Sequence, residues 1–90
     1  MIIKDKLIEP YEIHWDDSFT IKEPNGFTID KKSGQQIQLY KVYGYYSTLE
    51  GALKRCCKLL VEKSFEVATI KEIVEKFELL WLDIKNTIKI

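Results

Sequence analysis

The sequence predicts an α+β fold, in which a three- to four-stranded antiparallel β-meander is followed by two amphipathic helices packed on one face. The hydrophobic rhythm supports this class. Before residue 47 apolar and polar residues alternate, as in a strand with one buried face. After residue 47 apolar residues recur every three or four positions, as in a helix with one buried stripe. With 90 residues, the chain is expected to form a single domain over residues 1–90.

The first half contains two short stretches with strand character. Residues 11–15 and 19–22 each alternate between apolar and polar side chains, and a turn at residues 17–18 separates them. The second stretch is expected to end at residues 23–26, because proline fixes φ and Asn-Gly tolerates positive φ. Residues 27–29 then continue the sheet after this turn or after a bulge.

A third and longer strand is predicted next. The polar loop at residues 30–34 ends in glycine and predicts an exposed hairpin connection, and the strand follows over residues 36–46. Alternation places one set of its side chains on a common face: Ile37, Leu39, Lys41, Tyr43 and Tyr45. The other residues of the strand, including Tyr46, are expected on the opposite face.

Two capping boxes predict where the helices begin. Ser47 with Glu50 fits the first box, and Thr69 with Glu72 fits the second. The first helix is expected to fray near residues 63–66, and its inner stripe consists of Leu49, Ala52, Leu53, Cys56, Leu59 and Leu60. The inner stripe of the second helix consists of Ile70, Ile73, Val74, Phe77, Leu80, Trp81 and Ile84.

The second helix carries more apolar residues than one neighbour would cover. Leu79 and Leu82 widen its apolar band beyond the inner stripe. Such a band predicts contact with both the sheet and the first helix, or a homodimer formed through the second helix.

The composition argues against a catalytic or metal site. Fourteen basic residues balance fourteen acidic ones, so phosphate-driven DNA binding and DNA mimicry both lose support. His14 is the only histidine, lies on the polar side of its strand and has no partner motif. The glycines do not form a phosphate-binding loop. We therefore expect no enzyme activity, no metal and no cofactor.

The cysteines and the N-terminus bear on the compartment. Cys56 and Cys57 are adjacent in a helical segment, where their side chains diverge and do not form a disulfide. Cys56 is expected in the core, and whether Cys57 is reactive is left open, since nearby Lys54 and Lys58 favour a thiolate. Without a signal-peptide pattern or an apolar run of roughly 18 residues, the chain is predicted to be soluble and cytoplasmic.

Two groups of residues are candidates for contact with nucleic acid. Tyr40, Lys41 and Tyr43 resemble the stacking platforms of single-strand binders. The second group, on the first helix, consists of Lys54, Arg55 and Lys58. Each group also has an ordinary interpretation, because tyrosines at a sheet margin often only pack and a basic helix face is often only solvated.

Residues 45–54, YYSTLEGALK, resemble a stretch of a group of small proteins encoded by phages and prophages of bacteria with low G+C content. In that group an aromatic pair ends a strand, a Ser/Thr-x-Leu-Glu turn opens a helix, and Ala-Leu packs the helix on the sheet. The resemblance extends over residues 11–85 in layout. It implies an accessory role during infection or lysogeny in the bacterial cytoplasm, and it carries over no catalytic residue.

The sequence therefore favours a non-enzymatic protein-binding module that uses the second helix near Leu79 and Leu82, or an exposed sheet edge. The resemblance adds the hypothesis that the partner is a host or phage protein, and that the module inhibits a host defence system such as a CRISPR effector. The alternative is a single-stranded nucleic-acid-binding accessory of phage replication or regulation.

Overall fold

The computed structural model describes residues 1–88 and has an α+β fold, which confirms the predicted class. A four-stranded antiparallel sheet is followed by two helices. The elements are β1 (Ile2–Ile3), a 3₁₀ helix (Lys6–Ile8), β2 (Glu12–Trp15), β3 (Phe19–Ile29), β4 (Gln36–Tyr46), α1 (Leu49–Ser64) and α2 (Ile70–Ile88).

The strands follow one another in the order β1-β2-β3-β4. The register aligns Ile3 with Ile13 and Ile13 with Ile21, so these three side chains share one face of the sheet. Ile13 and Ile21 are fully buried. β1 was not predicted, because a strand of two residues is too short to show alternation.

β3 does not end at residues 23–26, so that prediction was wrong. The strand continues through Pro24 to Ile29, and the alternative of a bulge is the one observed, at Asn25-Gly26. β2 pairs only with residues 19–22 of β3, so Pro24 lies in a two-stranded ribbon where proline is tolerated. Gly26 supplies the positive φ, 78°, that the bulge requires.

β4 spans residues 36–46 as predicted, but its two faces exchange near its end. Ile21 pairs with Gly44 and Lys22 pairs with Val42, so Tyr43 is an extra residue in a bulge. Beyond the bulge Tyr45 is 71% exposed, whereas Tyr46 packs against the core. The assignment of Tyr45 to the face of Ile37 and Leu39 was therefore wrong.

α1 begins one residue later than the predicted cap. Thr48, not Ser47, is the N-cap, and its hydroxyl accepts a hydrogen bond from the N–H of Gly51 at 3.1 Å. The helix ends at Ser64, within the segment where fraying was predicted. Its buried residues are Ala52, Leu53, Cys56, Cys57, Leu59 and Val61.

The predicted capping box of α2 is confirmed. The hydroxyl of Thr69 accepts a hydrogen bond from the N–H of Glu72 at 3.2 Å, and the Glu72 carboxylate accepts one from the N–H of Thr69 at 3.1 Å. Two donors that a helix start leaves unpaired are therefore satisfied within the segment itself.

The hydrophobic core lies where α1 meets the sheet and α2. α1 contacts β3, β4 and the 3₁₀ helix, and the main contacts of α2 are with α1 and the 3₁₀ helix. The buried cluster consists of Ile8, Tyr11, Ile13, Ile21, Ala52, Leu53, Cys56, Cys57, Leu59 and Ile84. The molecule is elongated, measuring 52 × 30 × 20 Å, since the β3–β4 ribbon extends past the end of β2.

The N-cap assignment has a direct test. Thr48→Ala should lower the free energy of unfolding by about 1 kcal/mol, because it removes the hydroxyl that pairs with the N–H of Gly51. Ser47→Ala is the matched control and should change it by less than about 0.5 kcal/mol. Urea denaturation of the three proteins measures both values. A larger loss for Ser47→Ala than for Thr48→Ala would contradict the assignment.

Candidate functional site

The outer side of α2 exposes the two leucines that the sequence singled out. Leu79 is 64% exposed and Leu82 is 51% exposed, whereas Ile84 of the same helix is fully buried. At 100° per residue, Leu79 lies roughly opposite Ile84 on the helix, so helical geometry directs it away from the core. Leu79 and Leu82 together line a shallow depression with Glu75 and Glu78.

A second, larger depression lies between α1 and α2. It is a groove of about 470 Å³ with an apolar floor, and the charged groups at its rim are Lys58, Glu62 and Glu78. The floor is formed by Val61, Ile73, Val74 and Phe77. The helical periodicity of the sequence predicts the last three in the buried stripe of the second helix. Ile73 and Val74 are in fact exposed, since no element within residues 1–88 closes the groove over them.

The two depressions adjoin each other, since Glu78 lines both. We call the combined region the α2 surface, defined by the floor of the groove together with Leu79 and Leu82. Groups of exposed apolar side chains that are contiguous and rimmed by charge are typical of protein-binding sites. The groove part of this surface was not predicted, since periodicity identifies an apolar stripe but not whether a neighbour covers it.

The tyrosines of the predicted stacking platform lie on opposite faces of the sheet. Tyr43 packs edge-on against Tyr11, with ring centroids 5.1 Å apart, and Tyr11 shares the face of buried Ile13. Tyr40 instead packs edge-on against His14, at 4.9 Å, on the opposite face, which we call the open face. Tyr40 and Tyr43 therefore do not form one stacking surface.

Tyr43 belongs to a polar cluster between the sheet and α1. Its hydroxyl donates to Glu23 Oε1 at 2.6 Å, and the Lys63 ammonium donates to Glu23 Oε2 at 3.4 Å. The Tyr43 hydrogen bond, assisted by Lys63, lowers the pKa of Glu23. The same bond raises the pKa of Tyr43 to about 12. Tyr43 thus has an evident structural role.

The basic candidates are dispersed. The Lys41 ammonium lies over the Tyr43 ring, 5.0 Å from its centroid. Lys54 lies 5.4 Å from the centroid of Trp81 and 3.5 Å from the carboxylate of Glu50, so it packs α1 against α2. The remaining two are Arg55, which is partly buried, and Lys58, which borders the groove.

The open face carries a polar cluster that sequence analysis did not predict. Glu12 is almost fully buried, and its carboxylate lies 3.0 Å from His14 Nε2 and 3.5 Å from the Lys4 ammonium. Alternation placed His14 correctly on the polar face, but Tyr40 and Glu12 cover it there. Its partners explain how a buried carboxylate is accommodated.

Cys57 is fully buried, like Cys56. Its thiol donates a long hydrogen bond to the carbonyl oxygen of Phe77 at 3.6 Å, which joins α1 to α2. Burial raises the pKa of the Cys57 thiol to about 11 and that of Cys56 to about 12. The thiolate that Lys54 and Lys58 were expected to favour is therefore disfavoured, because removal from water penalises the charged form of the Cys57 thiol.

The described part of the chain holds no group of three histidine, cysteine, aspartate or glutamate side chains able to bind a metal ion. No helix within residues 1–88 combines the length and apolar content needed to cross a membrane. No family model, curated protein or solved structure matches this chain. The surfaces described above are therefore the features of the molecule that bear on its function.

The Tyr43–Glu23 hydrogen bond predicts a pH-dependent stability. Tyr43→Phe should lower the free energy of unfolding by about 1 kcal/mol at neutral pH. Because folding raises the pKa of Tyr43 from 10.0 to about 12, this contribution is complete below pH 10 and is lost as the pH rises through 12. Because folding lowers the pKa of Glu23 from its ordinary value of 4.5, the contribution is also lost in acid, as the pH falls below 4.5.

Urea denaturation of wild type and Tyr43→Phe over this pH range measures the difference. The difference should be largest between the two limits and should shrink toward both. A difference that stays constant from neutral pH to pH 12 would contradict this role of the hydrogen bond.

The burial of both thiols predicts that they react slowly with thiol reagents in the folded protein. At about pH 8, Cys56 and Cys57 should react with a chromogenic disulfide reagent far more slowly than in urea, because both are shielded and protonated. Stopped-flow absorbance before and after addition of urea provides the comparison. A thiol that reacts in the native protein as fast as in the unfolded chain would contradict the prediction that both thiols are unreactive.

Proposed function

We propose that this protein is a non-enzymatic binding module that captures a partner protein with its α2 surface. The observation that carries the proposal is the exposure of Leu79 and Leu82 beside an apolar groove. Burying exposed aliphatic side chains gains about 25 cal/mol per Å² of apolar area removed from water. The surface offers two leucines and an adjoining cavity, so several side chains can be buried together.

The groove supports a helical segment as the occupant. Grooves between two helices bind amphipathic helices through apolar anchors spaced at three and four residues. Phe77 is a partly buried aromatic residue on the floor, and such residues often dominate the binding energy. We therefore propose that the partner inserts apolar anchors over Val61 and Phe77 and extends toward Leu79.

The rim indicates the charge of the partner. Three carboxylates border the two depressions, those of Glu62, Glu75 and Glu78, against one ammonium, that of Lys58. Lysine or arginine residues around the apolar centre of the partner would complement this rim. Such complementarity mainly increases the rate of association and the specificity.

The resemblance of residues 45–54 to phage and prophage proteins supports a partner from the bacterial host. In this proposal the module acts stoichiometrically in the cytoplasm, and a host defence system such as a CRISPR effector is the target class. Occupying a surface is a mode of action that requires no catalytic group. The alternative role in single-strand nucleic-acid binding stays a prediction, and the separation of Tyr40 from Tyr43 does not favour it.

The α2 surface can be tested with paired substitutions. Leu79→Glu together with Leu82→Glu should abolish capture of the partner from a host extract, because carboxylates would then replace apolar contacts. Folding should be retained, since both side chains are exposed. The captured protein is then purified, and calorimetry measures its affinity for the wild type and for the variant.

The matched control is Lys31→Gln with Lys32→Gln, which changes the net charge by the same amount at the exposed β3–β4 turn. The control should bind like wild type. Equal affinity of the leucine variant and wild type would refute the α2 surface as the binding site.

A further inference from the structure

β4 is an edge strand over its full length of 11 residues. Within residues 1–88, β3 is its one neighbour in the sheet. Residues 23–29 of β3 in turn pair only with β4, because β2 pairs with residues 19–22. The far half of the hairpin is therefore a two-stranded ribbon. Such ribbons are marginally stable in water, so an added strand would stabilise this one.

The β4 edge of the ribbon lacks, over residues 33–40, the features that usually prevent edge strands from pairing. Residues 33–40 include no charged residue and no proline. The pairing of β3 with β4 is irregular at two places, residues 25–26 of β3 and residue 43 of β4. Residues 36–42 of β4 contain no extra residue and are therefore regular. The exposed apolar side chains of the ribbon are Phe27, Ile29, Ile37 and Leu39. An uncharged, regular edge with exposed apolar residues favours pairing with another strand.

The ladder shows which backbone groups of β4 are free to pair. The N–H of Asp30 donates to the carbonyl oxygen of Gln35 at 2.9 Å, so Gln35 turns its carbonyl oxygen toward β3. Residues of an antiparallel strand alternate in this direction. Gln36, Gln38 and Tyr40 therefore turn their N–H and C=O groups to the free edge.

This free edge is complementary to itself. When two copies of β4 pair antiparallel about Gln38, the two Gln38 residues form a hydrogen-bonded pair, and Gln36 forms another with Tyr40 of the second copy. Ile37 then lies opposite Leu39 of the second copy, in the closer, non-hydrogen-bonded pair. Apolar side chains thus meet apolar side chains in this register.

Charge also permits this register. The nearest charged residue of β4 is Lys41, and it would lie opposite the neutral Gln35 of the second copy. A register centred further along the strand, on residue 41, would bring two copies of Lys41 together, which is unfavourable. It would also bring the bulge at Tyr43 and the part of β4 near α1 toward the second copy.

We propose that the chain forms a twofold-symmetric dimer in which β4 pairs antiparallel with β4 of a second copy about Gln38. The two four-stranded sheets then become one continuous sheet. This interface uses the ribbon and not α2, so it is independent of the partner-binding role of the α2 surface. It also differs from a dimer through the second helix, which the apolar band of α2 predicted.

Sedimentation equilibrium of the full chain over a wide concentration range tests for the dimer. Wild type should convert reversibly from monomer to dimer. Amide hydrogen exchange followed by NMR gives the register: the N–H groups of Gln36, Gln38 and Tyr40 should become protected as the concentration rises. Those of Ile37 and Leu39, which face β3, should be protected at every concentration. A monomer at all concentrations would overturn the proposal.

Substitutions on facing positions test the pairing itself. Ile37→Lys should raise the dissociation constant by at least about tenfold, since it places a charge against Leu39 of the second copy. Adding Leu39→Glu should restore much of the affinity, because each lysine would then face a glutamate across the interface. Circular dichroism confirms that both variants remain folded.

The leucine variant of α2 distinguishes the two dimer interfaces. Leu79→Glu with Leu82→Glu should leave the β4 dimer unchanged. Dimerisation that is lost in this variant and unaffected by Ile37→Lys would overturn the β4 interface in favour of α2. Loss of host-protein capture with the dimer intact is the expected result, since it separates the partner-binding surface on α2 from the dimer interface on β4.

Discussion

The packing of α1 is the constraint on which the rest of the structure depends. This helix contacts β3 and β4 as well as α2, and six of its 16 residues are buried. α1 supplies half of the ten residues in the buried cluster, and a chain of 90 residues can build only a small core. Few other residues are available to cover the two-stranded ribbon of β3 and β4 or the outer side of α2, so apolar side chains stay exposed at both. The candidate binding surfaces thus follow from how the core is assembled.

The elements of the fold could be predicted to the extent that their signals are local. The change of period near residue 47, the bounds of β4 and the Thr69–Glu72 capping box all depend on residues a few positions apart, and all agree with the structure. The continuation of β3 through Pro24 and the bulge at Tyr43 were not predicted correctly. Both depend on cross-strand pairing, since a proline is tolerated or a face reversed according to what the neighbouring strand does.

The same distinction applies to the candidate site. Leu79 and Leu82 could be identified from the sequence, because an apolar residue opposite the buried stripe of a helix points away from the core. The cluster of Tyr43, Glu23 and Lys63 joins residues 20 and 40 positions apart, and no spacing rule indicates such contacts. Tyr43 therefore resembled part of a nucleic-acid platform in the sequence. In the structure it stabilises the junction between the sheet and α1.

The two proposed surfaces lie on different elements, and this separation has a functional consequence. β4 pairs at the distal ribbon, whereas the α2 surface is built on the helices, so a dimer joined at β4 carries two α2 surfaces at once. Once one surface has bound an oligomeric partner, the second binds at a high effective concentration, and the combined affinity exceeds that of either site. If the protein acts by occupying a surface of its partner, as proposed above, avidity of this kind compensates for an interface limited by the small size of the chain. Dimerisation would then strengthen binding without any additional contact between one protomer and its partner.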